Sequence, residues 1–178
     1  CKELKNQGCE LIISPNGSPF DKYKINQRKT IIEDRVTEVK IPFVYVNQFG
    51  GQDELVFDGS SLVMNGNKEV VFEAPSWEEN TSVVEFNISA KKFNDLSFEK
   101  AQVSDLENIY MAMVIGLRDY VAKNNFPGVI LGLSGGIDSA FCAAVAVDAL
   151  GKDKVNAYML PSVYTSKNSL DDAKDCAK

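Results

Sequence analysis

No histidine occurs anywhere in the 178 residues. That absence removes every triad or metal centre built on imidazole from what this chain can supply. The four cysteines, Cys1, Cys9, Cys142 and Cys176, never fall in a CxxC pair, so neither a disulfide framework nor a zinc site is expected. Apolar runs long enough to span a bilayer are lacking, as are repeats and low-complexity tracts, and no signal peptide is expected. Basic residues are in deficit: 19 Lys and Arg against 25 Asp and Glu leave a net charge of −6. An acidic balance of this kind argues against a nucleic-acid-binding face. The expected setting is a reducing cytoplasm, with no membrane partner and no nucleic-acid partner.

What is present divides into two halves. In residues 1–90, "CKELKNQG" reads as a short helix ending at Gly8, and "CELIIS" as a buried strand that takes in Cys9. Ile25, Ile32, Val36 and Val39 have helical spacing, "PFVYVNQ" is a second buried strand, and Asn65-Gly66-Asn67 forms a hairpin tip. The polar stretch "KKFNDLSFEKAQV" reads as a linker. Ser104-Asp105-Leu106-Glu107 is then a capping box, opening a helix with Leu106, Ile109, Tyr110, Met113, Leu117, Tyr120 and Val121 on its core face.

After it the order is strand "GVILGLS", helix 137–150, strand "KVNAYML" and a helix from Ser169 onwards. This alternation implies a parallel sheet, with ligands at the carboxyl ends of the strands. Two strands do not make a stable open sheet, so a larger domain is expected. The fold class is α/β.

The turn 134–139, Ser-Gly-Gly-Ile-Asp-Ser, falls at such a strand end. A P-loop would carry a lysine here, and this turn carries Asp138 instead. Gly135 and Gly136 let backbone N–H groups approach an anion at the helix N-terminus. Ser134 and Ser139 can donate to phosphate oxygens, and Asp138 can hold a Mg²⁺ that bridges phosphates. The plainer alternative is a β–α turn with Asp and Ser as caps.

These six residues resemble the signature of the N-type ATP pyrophosphatases, which cleave ATP between the α and β phosphates and adenylate an acceptor. The longer stretches "LGLSGGIDSAFCAAVAVDALG" and "MLPSVYTSKNSLDDAK" narrow the resemblance to the glutamine-dependent NAD synthetases. The resemblance implies ATP and Mg²⁺, with Gly132, Leu133, Ser134, Gly135, Gly136, Ile137, Asp138, Ser139 and Leu160 on the nucleotide and Asp138 on the metal. Pro161 and the Thr165-Ser166 segment would lie beside the adenylate. The implied reaction adenylates deamido-NAD, and ammonia then displaces AMP to give NAD.

The first half, through "LIISPNGSPF" and "IPFVYVNQFGGQDELVFDGSSLV", resembles the carboxyl-terminal part of a nitrilase-type glutaminase. Such domains use a Glu–Lys–Cys set, which in the family precedes these segments, so no catalytic residue of that set is assigned here. Cys1 is declined as a substitute, because it sits one helix too close to the strand and lacks the family's context. Ser18 and Lys24 match positions that help hold glutamine. The implied fold is the end of an α-β-β-α nitrilase-like sandwich over 1–92 and a linker over 93–103. The opening of an adenine-nucleotide α-hydrolase-like, Rossmann-like domain follows over 104–178. The implied partners are deamido-NAD, ATP and L-glutamine, in a homo-oligomer.

Rival readings are another amidating synthetase or a non-catalytic nucleotide-binding remnant. Asparagine synthetase has an N-terminal cysteine but no place for "NGSPF", and GMP synthetase needs a histidine. A sulfur- or RNA-modifying relative is disfavoured by the acidic balance and the missing cysteine pair.

Overall fold

The computed structural model describes residues 1–95 and 103–178. They divide into two compact units, residues 1–50 with 55–112 and residues 51–54 with 113–178. The class is α/β, as the element order predicts.

The first unit opens with α1 (Lys2–Asn6), β1 (Ile12–Asn16), α2 (Lys24–Val39) and β2 (Phe43–Asn47). β1 and β2 pair in parallel, Ile12 opposite Phe43, a pairing that requires a crossover, here α2. The strand lies three residues later than "CELIIS" suggests, and Pro15 falls inside it. Cys9 therefore precedes β1, half-buried, with its Sγ donating to the Leu11 carbonyl at 2.9 Å.

A hairpin of β3 (Phe49–Gln52) and β4 (Leu55–Asp58) follows, then β5 (Leu62–Met64) and β6 (Val70–Glu73). β5 runs antiparallel to both β2 and β6, which completes a sheet of order β1-β2-β5-β6. The turn joining β5 and β6 carries the predicted Asn65-Gly66-Asn67, closed by the Lys68 amide on the Asn65 carbonyl at 2.9 Å. A Cβ at Gly66 would lie 2.7 Å from the Lys40 carbonyl oxygen. Close passage of this turn over the end of α2 thus demands glycine.

Alternation explains how the sheet is covered. Phe43, Tyr45, Leu62 and Met64 face Ile32, Val36 and Val39 of α2 in one buried cluster. Val63, Val71 and Phe93 form a second cluster, with Val44, Phe72 and Phe86 packed against it. β2 is not buried along its whole length, and Val46 is 45% exposed.

Phe93 belongs to β8 (Lys92–Phe93), which pairs with β7 (Phe86–Asn87). It falls inside the expected linker, yet it is buried and its amide and carbonyl both bond the Asn65 side chain. The linker positions 96–102 lie outside the described residues.

α3 spans Asp105–Lys123. Ser104 caps it as the capping-box reading expects, its Oγ accepting from the Glu107 amide at 3.2 Å. The buried face, however, is Asn108, Val114, Ile115 and Val121, while Leu106 is 80% and Tyr120 48% exposed. The predicted stripe holds at Val121 but misses Asn108, Val114 and Ile115, because α3 is apolar almost all round from Ile109 to Leu117, so periodicity alone does not choose a face. Asn108 is drawn inward by a partner: its Oδ1 accepts from the buried Trp77 indole at 2.7 Å.

In the second unit β9 (Val129–Gly132), α4 (Ile137–Leu150), β10 (Val155–Tyr158) and α5 (Lys167–Cys176) follow in order. β9 and β10 are parallel, Val129 opposite Val155. α4 buries Val145, Ala146 and Ala149. Ile130 of β9 is 76% exposed, because only one face of this strand pair is covered. Residues 51–54 are clasped by α3. The Gly51 amide donates to Asp119 Oδ2 at 2.7 Å, and Lys123 Nζ reaches the Gly51 carbonyl. Among the described residues no helix is long and apolar enough to cross a membrane.

Candidate functional site

The loop 134–139 joins the carboxyl end of β9 to the first turn of α4. Gly135 holds φ +82, the left-handed region that suits glycine. A Cβ there would lie 2.2 Å from the Ser169 carbonyl oxygen, so the loop rests directly on the first turn of α5. Gly136 is the N-cap of α4 and provides no side-chain cap. The leading amides of α4, Ile137 and Asp138 among them, thus keep their donors for an external acceptor, reinforced by the helix dipole.

Ser134 and Ser139 are brought together, with their hydroxyl oxygens 3.0 Å apart. Ser139 Oγ donates to the Gly136 carbonyl at 2.9 Å and accepts from the Ser134 amide at 3.2 Å. Ser134 Oγ accepts from the Gly136 amide at 3.3 Å. Both hydroxyls therefore shape the loop before they meet any ligand. That leaves the backbone as the ready source of donors.

Asp138 sits in the first turn of α4 and is exposed. Gly132 ends β9, with nothing within 4 Å of where a Cβ would be. The Leu133 amide bonds the Tyr158 carbonyl at 2.9 Å, which ties the loop to the end of β10. Leu160 follows two residues later and is 86% exposed. Further on, the Thr165 hydroxyl accepts from the Ser162 amide at 2.8 Å, and Ser166 caps α5 through the Ser169 amide. A cavity of about 320 Å³ lies beside the loop, lined by Leu133, Gly135, Gly136, Ile137, Ala140, Asp172 and Cys176. Among the described residues no cluster of three or more His, Cys, Asp or Glu could hold a metal. A Mg²⁺ that arrives on nucleotide phosphates needs only one or two protein carboxylates, and the exposed Asp138 fits that modest demand.

In the first unit Ser18 is half-buried in the connection from β1 to α2, and Lys24 is the first residue of α2. The Ser18 amide donates to Asn47 Oδ1 at 2.9 Å. The sequence gives no signal for what else holds Ser18. Arg28, buried within α2, donates from Nε to Ser18 Oγ at 3.1 Å and from Nη2 to the Ser18 carbonyl at 2.8 Å. Its Nη1 lies 2.8 Å from both carboxylate oxygens of Asp58, which is fully buried. Only Oδ2 receives a hydrogen bond with good geometry; Oδ1 has the charge contact alone. Arg28 and Asp58 are 30 positions apart, beyond any local pattern. A second cavity, about 530 Å³, is lined by Arg28, Lys29, Ser60, Glu73, Ser76 and Asn108 among others.

Residues 109–178 match the NAD synthase family model. The chain is 44% identical over 98% of its length to a glutamine-dependent NAD(+) synthetase of Rhodobacter capsulatus. It is 42% identical over 99% of its length to the enzyme of the same description from Acinetobacter baylyi. In both cases it spans 32% of the relative, about a third of those proteins. Among solved structures, the glutamine-dependent NAD+ synthetase of Acinetobacter baumannii in complex with adenosine diphosphate matches with a TM-score of 0.90 at 41% identity. That match covers 97% of this chain and 33% of the other. A glutamine-dependent NAD(+) synthetase from Cytophaga hutchinsonii shares the fold, with a TM-score of 0.75 at 19% identity.

Proposed function

We propose that this chain, a stretch of the glutamine-dependent NAD(+) synthetase family, contributes the ATP loop and part of the glutamine site to an enzyme that amidates deamido-NAD. Residues 1–92 serve as the carboxyl-terminal part of a nitrilase-like glutaminase and 93–103 as a linker. Residues 104–178 open the ATP-pyrophosphatase domain. The observation that carries the reading is the uncapped N-terminus of α4 behind the Gly135-Gly136 turn. It occurs in a chain whose 41% identical neighbour was solved with ADP.

In this reading the amides at the start of α4 hold the β and γ phosphates, which depart as pyrophosphate. A nicotinate carboxylate oxygen attacks the α-phosphorus, and the bond from that phosphorus to the bridging oxygen breaks. Ammonia nitrogen then attacks the carbonyl carbon of the mixed anhydride, and AMP leaves as the amide forms. Asp138 would hold Mg²⁺, whose chemistry is to neutralise the departing pyrophosphate charge. Ser134 and Ser139 keep the turn in shape, and Leu133 with Leu160 lies along the nucleotide. Ser18 and Lys24 bind the glutamine that supplies ammonia. The enzyme works in the cytoplasm as a homo-oligomer.

The test is product analysis on the intact protein supplied with Mg-ATP, deamido-NAD and either glutamine or ammonium. AMP and NAD from both nitrogen donors are expected. AMP without NAD would point to another acceptor, and ADP would refute the loop assignment. Asp138→Ala should abolish Mg-dependent pyrophosphate release, and near-normal release from it would overturn the metal role.

A further inference from the structure

We propose that the buried Arg28–Asp58 pair is a positioning device that presets the Ser18 hydroxyl as a hydrogen-bond donor, so that Ser18 selects an acceptor group on the nitrogen donor. This rests on the reading of Ser18 as a glutamine contact.

Arginine carries donors on all three guanidinium nitrogens and has no acceptor. The polarity of its contact with Ser18 is therefore unambiguous: Nε–H donates and Ser18 Oγ accepts, at 3.1 Å. With a lone pair so occupied, the hydroxyl proton is turned away from Arg28 and remains available. Ser18 is half-buried and can meet a ligand. A carboxylate or amide carbonyl oxygen is the partner such a hydroxyl satisfies.

The rest of the fork fixes the backbone. Nη2 donates to the Ser18 and Pro19 carbonyls at 2.8 and 3.0 Å, and Asn47 Nδ2 adds a bond to the Ser18 carbonyl at 3.2 Å. Asp58 holds the third nitrogen and is itself held, since Ser60 Oγ donates to Oδ2 at 2.8 Å and contacts Ser76 Oγ at 2.8 Å. Lysine at position 28 could keep the charge but not the planar fork.

A buried ion pair could instead be purely structural, and replacing both partners separates the two roles. Arg28→Met with Asp58→Leu removes the pair without leaving a lone charge, an exchange that cores tolerate. It also removes the donor on Ser18. The measurement is the glutamine KM of the intact enzyme at saturating Mg-ATP and deamido-NAD, with the melting temperature taken alongside. Ser18→Ala and the double variant should each raise that KM about tenfold, the loss of one hydrogen bond. The triple variant should match Ser18→Ala, since both changes remove one interaction.

A double variant with the parental KM overturns the proposal, and so does a triple variant whose effects multiply. Ser18→Ala with an unchanged KM overturns the Ser18 reading itself, which sets that failure apart. Should the double variant melt far below the parent, Arg28→Lys replaces it. The KM rise it causes must then vanish in the Ser18→Ala background, and persistence there overturns the proposal.

Discussion

Replacing Gly135 by alanine strikes the loop at the point where its backbone has least room. The residue holds φ +82, and an alanine in that region costs about 1–2 kcal/mol. The added methyl would lie 2.2 Å from the Ser169 carbonyl oxygen and 2.9 Å from its carbon. Both are backbone atoms of α5, so no side-chain rotation relieves the contact. Forcing the loop and helix apart adds about 1–3 kcal/mol, the usual cost of overpacking. The sum, roughly 2–5 kcal/mol, should lower the melting temperature of the domain by about 5–15 °C. If the α4 amides hold nucleotide phosphates as proposed, any displacement also turns them away, and the KM for ATP should rise with it. Gly132→Ala is the control: a Cβ there meets nothing within 4 Å, and its melting temperature should be parental. Thermal melts and ATP titrations of the intact protein decide the matter. Gly135→Ala with both parental melting and parental ATP KM would refute the argument that this glycine seats the loop on α5.

Met64, fully buried against α2, should cost about 2–5 kcal/mol on truncation to alanine, visible as a lower denaturant midpoint. At Asp119, burial raises the carboxyl pKa. The Arg118 hydrogen bond, the Gly51 amide and the charges of Arg118 and Lys123 outweigh it, and the net direction is down. A depressed pKa contributes stability above the unfolded value of about 4 and loses it as pH falls through the folded value. Acid titration of the intact protein should therefore show a loss of stability below about pH 4 that is smaller in Asp119→Asn. Equal acid sensitivity in the two proteins would count against the clasp on Gly51.

Elements whose signal is local were legible in the sequence. α4 runs over Ile137–Leu150 as read, because a glycine turn precedes it and Gly151 follows. The Asn65-Gly66-Asn67 turn was equally plain, since such residues suit tight turns. Features decided by distant partners were not. Asn108 enters the buried face of α3 because Trp77 supplies a hydrogen bond from 31 positions away, and no helical period encodes that. β1 slid past Cys9, Glu10 and Leu11 to include Pro15, since its register is set by pairing with β2 rather than by its own hydrophobicity. In the candidate site, composition marked Ser134, Gly135, Gly136, Asp138 and Ser139. It did not reveal that the two serine hydroxyls would turn toward each other. Arg28 reads in isolation as one more polar position on α2, and Asp58 as the end of a strand.

That pair also constrains the protein's history. A single substitution that removes either charge strands the other in a dry interior, at a cost of about 3–5 kcal/mol, which a marginally stable protein rarely survives. Each residue thus forbids the other from drifting alone. Descendants can keep both or exchange both, and the single-step intermediates between those states are selected against. Positions 28 and 58 should behave as one inherited character: across the lineage, they should be conserved together or switch together.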